Sequence, residues 1–129
     1  MLQNLTGIIL DDTGIKDRIF SAILLSIESH IDCFRSITFR GKNNQLGLKA
    51  INSLKKLLSR QIPNNLTELK IENVTTQAAD VEKLIHIITD KSTHLKTLSL
   101  SQIPLHETSV DLLCNYINKS VTLVELKLK

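Results

Sequence analysis

Few side chains in this chain are spaced for chemistry, and those few do not converge. His30 and Cys33 are the only pair at metal-ligand spacing, whereas a structural zinc site takes four ligands. His86, His94 and His106 fall in segments with no common focus, so no metal centre is expected. Cys33 has no evident base to activate it as a nucleophile. Cys114 follows Val110 by four residues, on what reads as the inward side of a helix, and is expected to serve as a small core hydrophobe. Gly7, Gly14, Gly41 and Gly47 are dispersed, so no loop is available to cradle a phosphate. The sequence offers no catalytic residues and calls for no cofactor, and an enzyme is not expected.

What remains is charge. Lys49, Lys55, Lys56 and Arg60 follow the outer side of one helical segment and could meet phosphates or an anionic membrane surface; simple solvation is the other reading. The whole chain carries a net charge of only +3, with 13 acids interspersed among its cations. Aromatics make up 3% and Trp is absent, which removes the faces on which nucleic-acid bases stack. No nucleic-acid partner is expected. The apolar cluster from Ile19 to Ile27 is interrupted by Ser21 and Ser26 and falls short of a membrane span. MLQNLTGIIL lacks the basic start and apolar run of a signal peptide. Cys33 and Cys114 lie 81 residues apart in different segments, so a disulfide is not expected and a reducing, cytoplasmic compartment is. On that expectation the Asn-x-Ser/Thr triplets at Asn4, Asn65, Asn73 and Asn118 carry no glycan.

The elements that must position these residues recur. Apolar triplets at Leu5/Ile8/Leu10, Phe34/Ile37/Phe39, Leu66/Leu69/Ile71, Leu95/Leu98/Leu100 and Leu123/Leu126/Leu128 start 29, 32, 29 and 28 residues apart. Each reads as a short buried strand entered by a turn. Between them, Phe20/Ile23/Ile27, Ile51/Leu54/Leu58, Val81/Leu84/Ile88 and Val110/Leu113/Ile117 repeat a three-then-four spacing, which keeps apolar groups on one helical face. Asp11-Asp12-Thr13-Gly14, Thr75-Thr76 and Thr108 with Asp111 are the expected helix-capping groups. Pro63 stops the second helix. The second unit is longest, with two of its extra residues falling before its helix.

This pattern resembles the leucine-rich repeat family, in its ribonuclease-inhibitor-like subtype of one strand and one full helix per unit. The resemblance covers the whole chain. It implies an α/β fold: a right-handed α/β solenoid, or horseshoe, of about four and a half repeats, with a parallel inner sheet of about five strands and outer helices. Residues 1–129 form a single domain, with repeats at about 5–33, 34–65, 66–94 and 95–122 and a final strand at 123–129. In the family, Asn or Cys stands three residues past the last strand leucine and bonds to neighbouring loops. Here those positions hold Thr13, Lys42, Val74 and Ile103, so the loops must satisfy their backbone groups differently.

Five strands about 4.8 Å apart make a face roughly 20–25 Å across, comparable with one side of a protein interface of about 800 Å². The resemblance implies a non-catalytic scaffold that binds a protein of unknown identity through this concave face. It suggests either a cytosolic regulator or a bacterial effector acting in the host cell cytosol. The side chains expected to carry contacts are Arg35, Thr38, Arg40, Glu68, Lys70, Glu72, Lys96, Ser99 and Lys127. Two readings of this face stay open: a polar docking surface for an acidic protein centred on Arg35, Arg40, Lys70 and Lys96, or an ordinary solvated sheet. The loop from Arg40 to Gln45 is a second candidate. Other readings are the anion or membrane-surface binder on the basic helix side and a substrate-recognition fragment of a larger protein. The final strand leaves an open end, expected either to continue in a longer parent protein or to be covered by self-association.

Overall fold

The computed structural model describes residues 6–28, 34–59, 66–91, 94–120 and 122–129. Strands and helices alternate: β1 (Gly7–Asp11), α1 (Asp17–Glu28), β2 (Ser36–Arg40), α2 (Leu48–Leu58), β3 (Glu68–Glu72), α3 (Ala78–Lys91), β4 (Thr97–Ser99), α4 (Glu107–Lys119) and β5 (Glu125–Lys127). The strands form one parallel sheet in the order of the chain, β1-β2-β3-β4-β5. Helices pack in the same sequence, α1 on α2, α2 on α3 and α3 on α4. The register places Ile8, Ile37, Leu69, Leu98 and Leu126 level with one another across all five strands. No helix among the described residues is long and apolar enough to cross a membrane.

A thin strand–helix unit cannot bury its own apolar side, so each borrows cover from its neighbours. Ile37, Phe39, Leu69, Ile71, Leu98 and Leu100 are almost fully buried, as are Phe20, Leu54, Leu84 and Ile88 from the helices. Phe20 of α1 stacks on Phe39 of β2, with ring centroids 3.8 Å apart. Burying a side chain of this size stabilises the fold by about 1.5–3 kcal/mol. The helical spacing holds fully in α2 and α3. In α1, Leu24 rather than Ile23 is deepest, and Ile23 packs at the margin of the core.

In α4 the expected face is only partly met. Leu113 is buried as expected, but Val110 and Ile117 are exposed, and Ser109 and Tyr116 turn inward in their place. The cause is the stacking itself. Val81 and Ile88 in α3 have α4 beside them, whereas α4 has a helix on one side only. Cys114, on the same uncovered side, is exposed rather than buried. Leu5, His30, Cys33, Arg60 and Pro63 lie outside the described residues.

The expected caps are also replaced. α1 starts at Asp17, beyond the 11–14 run, and the Asp12 carboxylate accepts instead from the Asn43 N–H at 3.0 Å. The Thr75 hydroxyl donates to the Lys42 carbonyl at 2.7 Å, and the Thr76 hydroxyl has no partner among the described residues. Thr108 donates to Glu82 of α3 at 3.0 Å, with His106 at the N-cap of α4. The N-terminus of α2 is served from the neighbouring unit. Asp17 accepts the N–H groups of Gly47, Lys49 and Ala50 at 2.8, 3.1 and 3.0 Å, satisfying donors that a helix start leaves open.

The loops after the strands repeat one conformation. Asp12, Gly41, Asn73 and Gln102 all have positive φ, at 53, 106, 55 and 55°. Their N–H groups donate across the sheet, Asp12 to Arg40, Gly41 to Glu72, Asn73 to Ser101 and Gln102 to Lys129, at 2.7–3.1 Å. One of the loops does hold an asparagine in the bonding position. Asn44 is fully buried, and the pairing of Gln45 with Thr75 sets it level with Val74. Its Oδ1 accepts from the N–H groups of Thr13 and Ile15, at 3.1 and 3.0 Å. Its Nδ2 donates to the carbonyls of Leu10 and Arg40, at 3.0 and 2.7 Å. The two-residue insertion carries this residue past Lys42, the position at which spacing places it.

Candidate interaction surface

Alternation along a strand sends every second side chain to the face opposite the core. Register then gathers those side chains into three rows across the sheet. The first holds Gly7, Ser36, Glu68, Thr97 and Glu125; the second holds Ile9, Thr38, Lys70, Ser99 and Lys127. The third begins with Asp11, Arg40 and Glu72, and the backbone bonds linking Asn73 to Ser101 and Gln102 to Lys129 carry it on through those last two positions.

In the third row Arg40 lies between Asp11 and Glu72. Its Nε is 3.2 Å from Asp11 Oδ2 and its Nη1 is 3.7 Å from Glu72 Oε1. The Ser99 hydroxyl donates to the other oxygen of Glu72 and shares a 3.1 Å contact with the Ser101 hydroxyl. A polar chain therefore runs over four strands, and Glu72, its least exposed charged member at 14%, joins the two halves. A shallow groove of about 320 Å³ follows this end of the sheet, bounded by Arg40, Glu72, Gln102, Lys127 and Lys129. In the second row Lys70 pairs with Glu68 of its own strand at 3.1 Å.

The anticipated contact residues do not all reach solvent. Arg35, Lys96 and Lys127 are exposed, and Arg40, Glu68, Lys70 and Glu72 are partly so. Thr38 and Ser99 are on the predicted face but buried, at 6% and 1% exposure, because short side chains sit between longer ones that lean over them. Arg35 and Lys96 precede the strands rather than joining the rows. Their backbones belong to a separate ladder, in which Arg35 donates to Thr6, Thr67 to Arg35, Lys96 to Thr67 and Val124 to Lys96. The loop from Arg40 to Gln45 is largely structural: Asn44 and its neighbours bond to the units on both sides.

The helix layer brings together a cluster that spacing did not show. Lys55, His86, Lys91 and Lys119 border a groove of about 480 Å³ floored by Leu112 and Tyr116. Lys91 is paired with Asp90 at 3.4 Å. Lys49 and Lys56 are exposed on α2, outside this groove. Burial raises the Tyr116 hydroxyl above its ordinary value of 10.0, by desolvating the phenolate. Among the described residues no group of His, Cys, Asp and Glu is arranged to hold a metal ion.

Set against known proteins, the chain matches no family model, and no curated protein is significantly similar to it.

Proposed function

We propose that this chain is a non-catalytic protein-interaction scaffold, a right-handed solenoid of leucine-rich-repeat-like units that presents its inner sheet face to a protein partner. Right-handed crossovers are the rule for parallel strands joined through a helix. The observation that carries the reading is the set of three rows, polar from β2 to β5 and held in register on the face turned away from the apolar core. Rigid spacing of that kind lowers the ordering cost of binding. Under this reading the chain works in a cytosol, as a regulator or as a bacterial effector inside a host cell.

Quantitative affinity capture tests it, comparing the unaltered protein with Arg35→Ala/Arg40→Ala/Lys70→Ala and with Lys49→Ala/Lys56→Ala on α2. Loss of the same prey from the first variant and retention by the second is the expected result. Identical prey from all three proteins contradicts the inner-face reading.

The groove beside Tyr116 favours a second reading, an anion binder on the helix layer, because three lysines there face one carboxylate. The helix C-termini beneath them carry partial negative charge, which offsets part of that excess. Binding through these lysines would weaken steeply with added salt.

A further inference from the structure

β5 is an outer strand of the sheet, with β4 on one side and no strand among the described residues on the other. The Glu125 N–H donates to Lys96, and the carbonyls of Lys127 and Lys129 accept from Leu100 and Gln102. Backbone groups along a strand turn to alternate edges, so those of Leu126 and Leu128 aim at the free one. The apolar side of this edge is poorly covered: Val124 is 83% exposed and Leu128 41%. At the same end of the stack α4 leaves Val110 and Ile117 exposed. A lysine on such an edge ordinarily keeps other strands away, and Lys127 alone would do so. Glu125, however, stands two residues before it on the same face, and both are exposed.

Two copies that meet at this edge, with both helix layers on one side of a continuous sheet, must run antiparallel. Opposed residues then lie on the same face, and the centre of the pairing decides which side chains meet. Centring it on Leu126 sets Glu125 opposite Lys127 of the second copy, Lys127 opposite its Glu125, and Val124 opposite its Leu128. Leu126 meets its own counterpart, with N–H and carbonyl already aimed for two hydrogen bonds. Centring on Glu125, on Lys127 or on Leu128 brings like charges face to face, which is destabilising. The run Val124-Glu125-Leu126-Lys127-Leu128 is thus complementary to itself read backwards, apolar to apolar and acid to base. We infer that β5 is a homodimerisation edge, pairing antiparallel with β5 of a second copy about Leu126. The twofold axis stands perpendicular to the sheet, so the assembly closes at two copies and joins their inner faces into one surface. The inference stands independently of what the inner face binds.

The test is sedimentation of the unaltered chain over a concentration series at low salt. Beside it run Glu125→Lys, Lys127→Glu, the double variant Glu125→Lys/Lys127→Glu, and an equimolar mixture of the two single variants. The unaltered chain should associate reversibly and stop at two copies. Each single variant sets two like-charge pairs across the axis and should associate roughly tenfold more weakly. The double variant exchanges the charges and should regain the original strength. The mixture should associate more strongly than either single variant alone, because the lysines of one then face the glutamates of the other in both pairs. Added salt should narrow all of these differences. Hydrogen exchange reads the edge without any substitution: the Leu126 and Leu128 N–H groups should slow as concentration rises, and those of β1 should not. A chain that stays monomeric up to about 1 mM overturns the proposal. So does growth beyond two copies with slowed exchange in β1, the outcome of head-to-tail stacking, or a mixture that associates no better than its components.

Discussion

The junction between the first two units and the junction between the last two have one geometry and different chemistry. Between α1 and α2 the ties are polar and directional. Asp17 caps the neighbouring helix, Ser21 and Ser53 share a 2.6 Å contact, and Asn44 bonds to four backbone groups. Gly47 leaves room for the first of these ties, since a Cβ there would come within 2.8 Å of the Asp17 carboxylate and displace it. Between α3 and α4 the cross-unit bond from Thr108 to Glu82 is exposed. The places of Asn44 are taken by Val74 and Ile103, and the buried Ser109 hydroxyl has no partner among the described residues. Packing of Leu113 and Tyr116 does the holding there. Polar ties fix one arrangement, because a wrong one strands buried donors and acceptors. Apolar packing tolerates small shifts.

The largest test of that contrast is Asn44→Ala, which leaves two carbonyls and two N–H groups without their partner. Roughly 3–5 kcal/mol of stability should be lost in denaturant titrations, against little for Ile103→Val in the last unit. Asp17→Ala removes only the borrowed cap of α2 and should cost about 1–2 kcal/mol. The opposite sign is expected at Gln102, whose φ of 55° is unfavourable for a side chain of this kind. Gln102→Gly should raise stability by about 0.5–1 kcal/mol, a gain limited by the freedom that glycine adds to the unfolded chain.

The smallest effect is a pH dependence of the last junction. Because the folded Tyr116 hydroxyl ionises above its ordinary value, its contribution is complete below about pH 10 and is lost as pH rises through the raised value. Tyr116 is the chain's one tyrosine, so phenolate absorbance measures it alone. Titration at the ordinary value would mean that α4 does not bury it.

The strand starts and the α2 and α3 faces were legible because they follow from period alone. Other features depend on what stands beside a residue. Val110, Ile117 and Cys114 obey the apolar period yet are exposed, since cover comes from the next unit. Thr38 and Ser99 alternate correctly yet are hidden by longer neighbours. Asn44 was missed because two inserted residues displaced it, although an asparagine in a loop after a strand was the signal to follow. Asp17 reads as an ordinary first-turn acid, and only the stacking shows that it caps a different helix.

Site-resolved hydrogen exchange tests most directly whether neighbouring units hold one another and whether the first junction does so most firmly. The N–H groups of Thr13, Ile15, Gly47 and Ala50 should exchange slowly, more slowly than those of α4. Asn44→Ala should release Thr13 and Ile15 while leaving Leu98 protected. Equal protection along the chain, or Thr13 and Ile15 exchanging as fast as exposed amides in the unaltered protein, would contradict the account.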